Sequence, residues 1–246
     1  MNILEQQYKF ILTSIQYKTI QKELLDIPFG YVMIPVPIDV GTIRRAIYRF
    51  FDTPNRELWT LNKIEFRIFE AGPYLWLDIK IPLGEGKRRK IRINVADKFK
   101  RADDFHPQMA LDIILNDPSI DSNVENDIRQ FLSKRELVEV LRFQKSTDRI
   151  HLAHQNTGLT ICKVFLDLVD FQPTGVNDES LIIHKMDLQT EGIPPDIIAL
   201  NEVANFYQKK YGLTREKDGG LTTYEMAVKK LNDWKRKTPL SLLPDV

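Results

Sequence analysis

Charged side chains recur at every second residue along several short stretches of this chain, with basic residues the more numerous. The suspected polar rows contain the cations Lys9, Arg67, Lys80, Arg88, Lys90, Arg92, Arg142, Lys163 and Lys185 and the acids Glu5, Glu65, Asp78, Asp167 and Asp187. Arginine and lysine bind phosphate oxygens well, and carboxylates can hold a divalent metal through hard oxygen ligands. These residue types predict binding of a highly charged anion wherever the rows converge.

The alternation is the pattern of β-strands, in which successive side chains point to opposite faces. Between Lys63 and Glu70, apolar residues alternate with Glu65 and Arg67. The stretch from Tyr74 to Ile81 alternates in the same way, and Ala71-Gly72-Pro73 separates the two with the spacing of a hairpin. Each predicted strand therefore has one apolar face and one charged face.

Further elements follow along the chain. Asp52-Thr53-Pro54-Asn55 ends a strand that begins near Ile47, because these residues favour turns. Other strands are predicted over Asn2–Leu12, Lys87–Val95, Glu136–Gln144, Arg149–His154, Leu159–Val169 and Leu181–Gln189, and helices over Thr13–Leu25, Met109–Leu115, a segment after Ser122, Asp196–Tyr211 and Thr223–Lys237. Helices and strands interleave, which predicts a single domain over 1–246 with a helical insertion at about 103–135 and C-terminal helices at about 195–237.

Composition limits the class of protein. With 246 residues, 43% of them hydrophobic, the chain can bury a sizeable core. A net charge of +1 gives no global field that would attract nucleic acid or anionic lipid. No apolar stretch approaches the roughly 20 residues of a membrane helix, and the first residues lack a signal-peptide layout. We expect a cytoplasmic protein with no membrane partner and no clear nucleic-acid binding; a homodimer remains open.

Two arrangements account for the alternation. In the first, the sheet lies on a core and its charged face meets water, as antiparallel sheets commonly do. In the second, an α+β fold, an antiparallel eight-stranded β-barrel forms a tunnel with its charged face inward and helices packed outside. Like charges inside such a tunnel cannot remain unpaired at low dielectric, so the second arrangement requires an anion.

Several segments, in this order, resemble a known family. They are Glu5-Gln6-Gln7-Tyr8-Lys9, Phe50-Phe51-Asp52-Thr53-Pro54, Ile64-Glu65-Phe66-Arg67, Leu77-Asp78-Ile79-Lys80, Arg142-x-Gln144 and Leu166-Asp167-x-Val169. The order is similar to that of the CYTH domain, or triphosphate tunnel metalloenzymes, over roughly residues 4 to 230. Its members begin with Glu-x-Glu-x-Lys and carry a Tyr-x-Asp-Thr-Pro segment, and the Asp-Thr-Pro match is the most specific.

The resemblance implies metal-dependent hydrolysis of inorganic triphosphate or a nucleoside triphosphate, with Mg²⁺ or Mn²⁺ as cofactor. It implies that phosphate is bound by Lys9, Arg67, Lys80, Lys90, Arg92, Arg142, Lys163 and Lys185. It also implies catalytic roles for Glu5, Asp167 and Asp187, and metal binding by Glu5, Gln7 and Asp187.

This chain departs from the family pattern at three places that bear on the metal or the phosphate. Gln7 stands where the first motif has its second acid, Glu65 stands where an arginine is expected, and Lys185 replaces one acid of the last-strand pair. Two of these changes remove carboxylates. The alternatives are a catalytically degenerate tunnel domain that binds polyphosphate or nucleotide, and a class IV-type adenylate cyclase. A capping RNA triphosphatase is a further alternative, although the sequence contains nothing like a basic RNA-binding arm.

Overall fold

The computed structural model describes residues 6–24, 26–34, 45–84, 87–116, 132, 136–172, 178–190, 194–215 and 222–237. The strands are β1 (Gln6–Leu12), β2 (Tyr31–Ile34), β3 (Arg45–Asp52), β4 (Glu65–Ala71), β5 (Tyr74–Gly84), β6 (Lys87–Asn94), β7 (Val138–His154), β8 (Thr160–Asp170) and β9 (Ile182–Thr190). The helices are α1 (Ser14–Lys22), α2 (Glu57–Asn62), α3 (Ala110–Leu115), α4 (Pro194–Tyr211) and α5 (Thr223–Lys237).

All nine strands belong to one sheet with the order β1-β9-β8-β7-β3-β4-β5-β6, and β2 pairs with β7 beside this path. The strands pair antiparallel, as in β1 with β9 and β4 with β5. The predicted α+β fold is therefore confirmed. The strand number is nine rather than eight, and hydrogen bonds do not close the sheet within the described part of the chain.

Two strand predictions need correction. The stretch from Glu136 to His154 was expected to form two strands, but β7 runs unbroken from Val138 to His154. Ser146, Thr147 and Asp148 look like a break because they are polar, yet Thr147 remains in the strand and bonds a buried carboxylate. Strand β2 was not predicted because its neighbourhood contains three prolines, which are unfavourable in sheet interiors.

The chain divides into two compact units, and the division falls within β7. We call Ile3–Arg45 with Lys145–Val246 the terminal unit, and Ala46–Gln144 the central unit. The single-domain organisation over 1–246 stays a prediction. The predicted helix after Ser122 lies outside the described residues, whereas α4 and α5 match the predicted C-terminal helices closely.

Each unit has its own apolar core. In the terminal unit, the apolar faces of β1, β8 and β9 pack against α1 and α4 through residues that include Phe10, Ile20, Leu166, Met186, Val203 and Tyr207. In the central unit, the apolar faces of β4, β5 and β6 pack with α3 through residues that include Phe66, Leu77, Ile93, Phe105 and Ile114. The apolar half of the predicted alternation therefore forms the cores.

The Asp-Thr-Pro segment joins β3 to α2. The buried carboxylate of Asp52 accepts hydrogen bonds from the backbone N–H groups of Thr53 at 2.7 Å, Leu58 at 2.8 Å and Trp59 at 3.1 Å. The Thr53 hydroxyl oxygen accepts from the N–H of Glu57 at 2.9 Å. These side chains satisfy N–H groups that lack partners at the start of a helix. The most specific motif in the sequence therefore starts α2, a helix that was not predicted.

No helix in the described ranges is both long and apolar enough to span a membrane.

We predict that Asp52→Ala lowers the free energy of unfolding by about 2 to 3 kcal/mol, because three buried N–H groups lose a charged acceptor. The measurement is urea unfolding followed by circular dichroism. Asn55→Ala, at an exposed position of the same turn, is the control and should change stability by less than about 0.5 kcal/mol. Equal stability of the two variants would contradict this role for Asp52.

Candidate functional site

The predicted polar rows of β1, β8 and β9 lie on one face of the terminal unit. In the pairing of these strands, Lys9 lies opposite Asp187, Lys185 opposite Asp167, and Lys163 opposite Gln189. Directly paired residues of an antiparallel sheet share a face, so these side chains are neighbours. We call this surface, together with the alternate residues Lys145, Thr147, Arg149 and His151 of β7, the terminal polar face.

A lysine lies between two carboxylates at the centre of this face. The ammonium of Lys185 contacts Asp187, and its Nζ atom lies 3.1 Å from Oδ2 of Asp167. Lys145 also lies 3.1 Å from Oδ2 of Asp167, and the Thr147 hydroxyl donates to Oδ1 at 2.6 Å. Asp167 is fully buried, while Lys185 and Asp187 are 4% and 5% exposed. We refer to these five residues as the carboxylate–lysine cluster.

The charges in the cluster hold each other ionised. Burial alone would raise the pKa of Asp167, but Lys145 and Lys185, with the Thr147 hydrogen bond, hold that pKa well below its usual value. Burial alone would lower the pKa of Lys185, whereas Asp187 and Asp167 raise it above its usual value. The buried aspartate and lysine therefore stay charged across the neutral pH range.

The terminal polar face carries more positive than negative charge. Its described cations are Lys9, Lys145, Arg149, Lys163 and Lys185, and its described acids are Asp167 and Asp187. Arg149 lies over the ring of Phe165, 4.8 Å from the ring centre. Burial, with the charges of Lys163 and Arg149, lowers the pKa of His151. Among the described residues, cations therefore outnumber acids on this face.

A second group of the predicted residues lies in the central unit. Asp78 is fully buried and accepts from Arg67 at 2.9 Å and from Arg92 at 2.7 Å and 2.9 Å. Burial alone would lower the pKa of Arg67, but chiefly the Asp78 charge keeps it above the usual value. The two guanidinium groups lie over aromatic rings, Arg67 over Tyr48 and Arg92 over Phe69. Asp78 thus neutralises one of two arginines.

Two other predicted phosphate ligands of the central unit have carboxylate partners. Lys80 lies 3.3 Å from the buried Glu65, the residue that replaces the expected arginine. Arg142 contacts Glu139 at 2.8 Å and Asp103 at 2.7 Å, and Glu139 also accepts from Arg49. The charge of Glu65 also acts on Arg67, whose ion-pair partner is Asp78. Arg142, in contrast, makes its ion pairs with Glu139 and Asp103.

The structure sorts the predicted site residues as follows. Lys9, Lys163, Lys185, Asp167 and Asp187 share the terminal polar face. Gln7 is half-buried there, opposite Gln189, Lys90 is described only as a backbone position in β6, and Glu5 lies outside the described residues. Sequence reasoning missed Lys145, Thr147 and Arg149, although their alternate spacing was a signal that could have extended the strand.

The acids described on the terminal polar face do not fit a divalent metal. No group of three or more His, Cys, Asp or Glu that could hold one occurs among the described residues. Both oxygens of Asp167 and one of Asp187 already have partners, while Oδ1 of Asp187 has no hydrogen-bond partner in the described part of the chain. A divalent ion about 4 Å from an ammonium meets repulsion on the order of 8 kcal/mol at an effective dielectric constant of about 20. No chemical step is therefore assigned to a metal here.

Comparison with known proteins identifies the fold. No protein-family model matches the sequence, and no curated protein matches it. A candidate adenylate cyclase from Bacillus halodurans aligns over 91% of this chain and 96% of its own, with a TM-score of 0.55 and 13% identity. The chain therefore has the same fold as this structure. HpAC1 from Hippeastrum, a candidate adenylyl cyclase with a dominant triphosphatase activity, aligns over 93% of this chain and 96% of its own, with the same TM-score and identity.

The CYTH-type fold that the sequence resemblance implied is thus confirmed. At 13% identity, the likeness concerns the path of the chain and not the site residues. The roles of those residues remain predictions.

We predict that the stabilising effect of the Asp167 charge is lost in acid. The folded-state pKa of Asp167 lies below its unfolded value of about 3.9, so its contribution is present above roughly pH 5 and falls as the pH drops below about 4. The measurement is the unfolding free energy of wild type and Asp167→Asn from pH 6 to 3. Their difference should shrink towards pH 3, and a constant difference would contradict the assignment.

We also predict that Asp78→Asn lowers the free energy of unfolding by about 3 kcal/mol, because Arg67 and Arg92 lose their shared counter-charge. Chemical denaturation measures the effect. Asp97→Asn, at an exposed position of the same unit, removes the same charge and should change stability by less than about 0.5 kcal/mol. Similar losses in the two variants would show that the Asp78 pairing contributes little.

Proposed function

We propose that this chain binds a triphosphate, either inorganic triphosphate or a nucleoside triphosphate, on the terminal polar face. The observation that carries the proposal is the gathering of four lysines and one arginine around two buried aspartates on one face of the sheet. Cationic side chains placed close together on one face favour a ligand of high negative charge density. Triphosphate, with roughly four negative charges at neutral pH, carries such charge in a compact volume.

The cations divide into two proposed roles. Lys9 and Lys163 are half-buried and belong to strands on either side of β9, so their ammonium groups can contact phosphate oxygens from two directions. Lys145 and Lys185 form ion pairs with Asp167, and we assign them the role of adding positive charge beside the ligand. Ammonium groups bind phosphate as point charges and tolerate different triphosphate compounds. The proposed ligand class is therefore defined by its phosphate chain.

The fold supports the same ligand class. HpAC1, to which this chain is similar with a TM-score of 0.55, has a dominant triphosphatase activity. A cytoplasmic location, where nucleoside triphosphates are available, agrees with the proposal. Binding without turnover is the function that the described geometry supports best, since both proposed catalytic aspartates contact Lys185.

Hydrolysis of the bound triphosphate is the second candidate. Oδ1 of Asp187 is buried and has no hydrogen-bond partner among the described residues, so it can accept a hydrogen bond from a water molecule. The oxygen of that water would attack the terminal phosphorus while Asp187 accepts a proton from it, and the bond from phosphorus to the bridging oxygen would break. Orthophosphate and the shortened phosphate chain, which keeps the bridging oxygen, would be released, and the lysines would balance the charge on the oxygens. Phosphoryl transfer depends mainly on positioning and charge neutralisation of this kind.

The test of binding is calorimetric titration of the folded protein with sodium tripolyphosphate in buffer without divalent metal. We predict saturable binding that weakens as salt rises, because the contacts are electrostatic. Lys9→Gln and Lys163→Gln should each weaken it about tenfold or more, the effect of losing one charge-assisted contact. Lys209→Gln, at an exposed position on α4, is the matched control and should bind as the wild type does.

Absence of binding by folded wild type at low salt would overturn the proposal, as would equal affinity of all three variants. Product analysis separates the activities. Release of phosphate from tripolyphosphate or ATP supports the second candidate, and cyclic AMP from ATP would instead indicate a cyclase. Binding without any product supports the first candidate alone.

A further inference from the structure

The position of Lys185 between two carboxylates is set by the strand backbone. Lys185 and Asp187 are two residues apart in β9 and therefore share a face, and Asp167 lies directly opposite Lys185 in β8. The ammonium is buried and contacts both acids. This arrangement follows from residue spacing and register, so it does not depend on a mobile surface side chain.

Three of the four carboxylate oxygens of the acid pair already have hydrogen-bonding partners. Oδ1 of Asp167 accepts from Thr147, and Oδ2 lies within 3.1 Å of both Lys145 and Lys185. Oδ2 of Asp187 accepts from Lys185. A divalent cation bridging the two acids would have to displace an ammonium whose side chain is buried. The acids therefore already have a counter-charge.

We infer that Lys185 takes the place of a divalent cation between Asp167 and Asp187, so that the terminal polar face binds a triphosphate free of metal. The part of this inference that concerns the ligand rests on the proposed function. The part that concerns the acid pair stands on the Lys185 contacts alone. The ligand class is then the free polyanion, whereas a metal-dependent site takes the triphosphate together with its metal.

The first test measures thermal unfolding and equilibrium Mn²⁺ binding without any phosphate ligand. We expect no Mn²⁺-dependent rise in the melting temperature of the wild type. Lys185→Gln should bind Mn²⁺ at least about tenfold more tightly than the wild type, and its melting temperature should rise with Mn²⁺ concentration. The reason is that the substitution removes the positive charge between the two acids, which a metal cation can then neutralise.

The matched control is Lys163→Gln, which removes one charge from the same face but leaves the Lys185 contacts in place. It should show no gain in Mn²⁺ binding. Stabilisation of the wild type by Mn²⁺, or an equal gain in both variants, would overturn the inference. If Lys185→Gln does not fold, the wild-type measurement still decides the outcome.

The second test measures tripolyphosphate affinity with EDTA and with increasing Mn²⁺. We expect the wild type to bind most tightly in EDTA and less tightly as Mn²⁺ rises, because the metal complex carries less negative charge. Tighter binding with Mn²⁺ would overturn the inference while leaving triphosphate binding intact. Lack of binding under both conditions would instead remove the proposed function and leave the acid-pair result from the first test standing.

Discussion

Charge neutralisation on the polar side of a buried sheet is the constraint on which this structure depends. Each unit uses the apolar face of its strands for a core, which leaves charged side chains on the other face. Four of these charged side chains are nevertheless buried, namely Asp78, Asp167, Lys185 and Asp187. Ionised groups with so little access to water are tolerated only with close partners of opposite sign. Strand register supplies those partners.

The two units meet this constraint in different ways. In the central unit, the carboxylate of Asp78 forms ion pairs with two arginines, which also lie over aromatic rings. In the terminal unit, Lys185 forms ion pairs with two carboxylates, and Lys145 forms a further ion pair with one of them, Asp167. Among the described residues, the cations of the terminal polar face outnumber its acids, and polyanion binding on this face is our proposal. The contact of Asp187 with Lys185 argues against the predicted role of Asp187 as a metal ligand.

Much of the fold could be predicted because a period of two is visible in single strands. The alternation along β4, β5, β8 and β9 is enough to predict both the core residues and the charged faces from the sequence. Strand β7 was harder because a polar run such as Ser146–Asp148 has the composition of a loop, and only its contact with Asp167 explains it. The short helix α2 depends on hydrogen bonds to Asp52, which no periodicity shows.

The site could be predicted only in part, for a physical reason. Spacing places Lys185 and Asp187 on one face, but it does not show which residue lies opposite them in the neighbouring strand. The partner of Lys185 depends on the pairing of β8 with β9, and the partners of Arg142 depend on packing beside Asp103. The departure at Lys185 was visible in the sequence, whereas its position between two acids required the structure.

The most direct test of the account is a crystal structure of the protein grown with tripolyphosphate and Mn²⁺, with anomalous diffraction data collected at the manganese absorption edge. The account predicts phosphate density beside Lys9 and Lys163, the Lys185 ammonium between Asp167 and Asp187, and no anomalous peak at that pair. A manganese peak bound to Asp187, with Lys185 displaced from the acids, would contradict it.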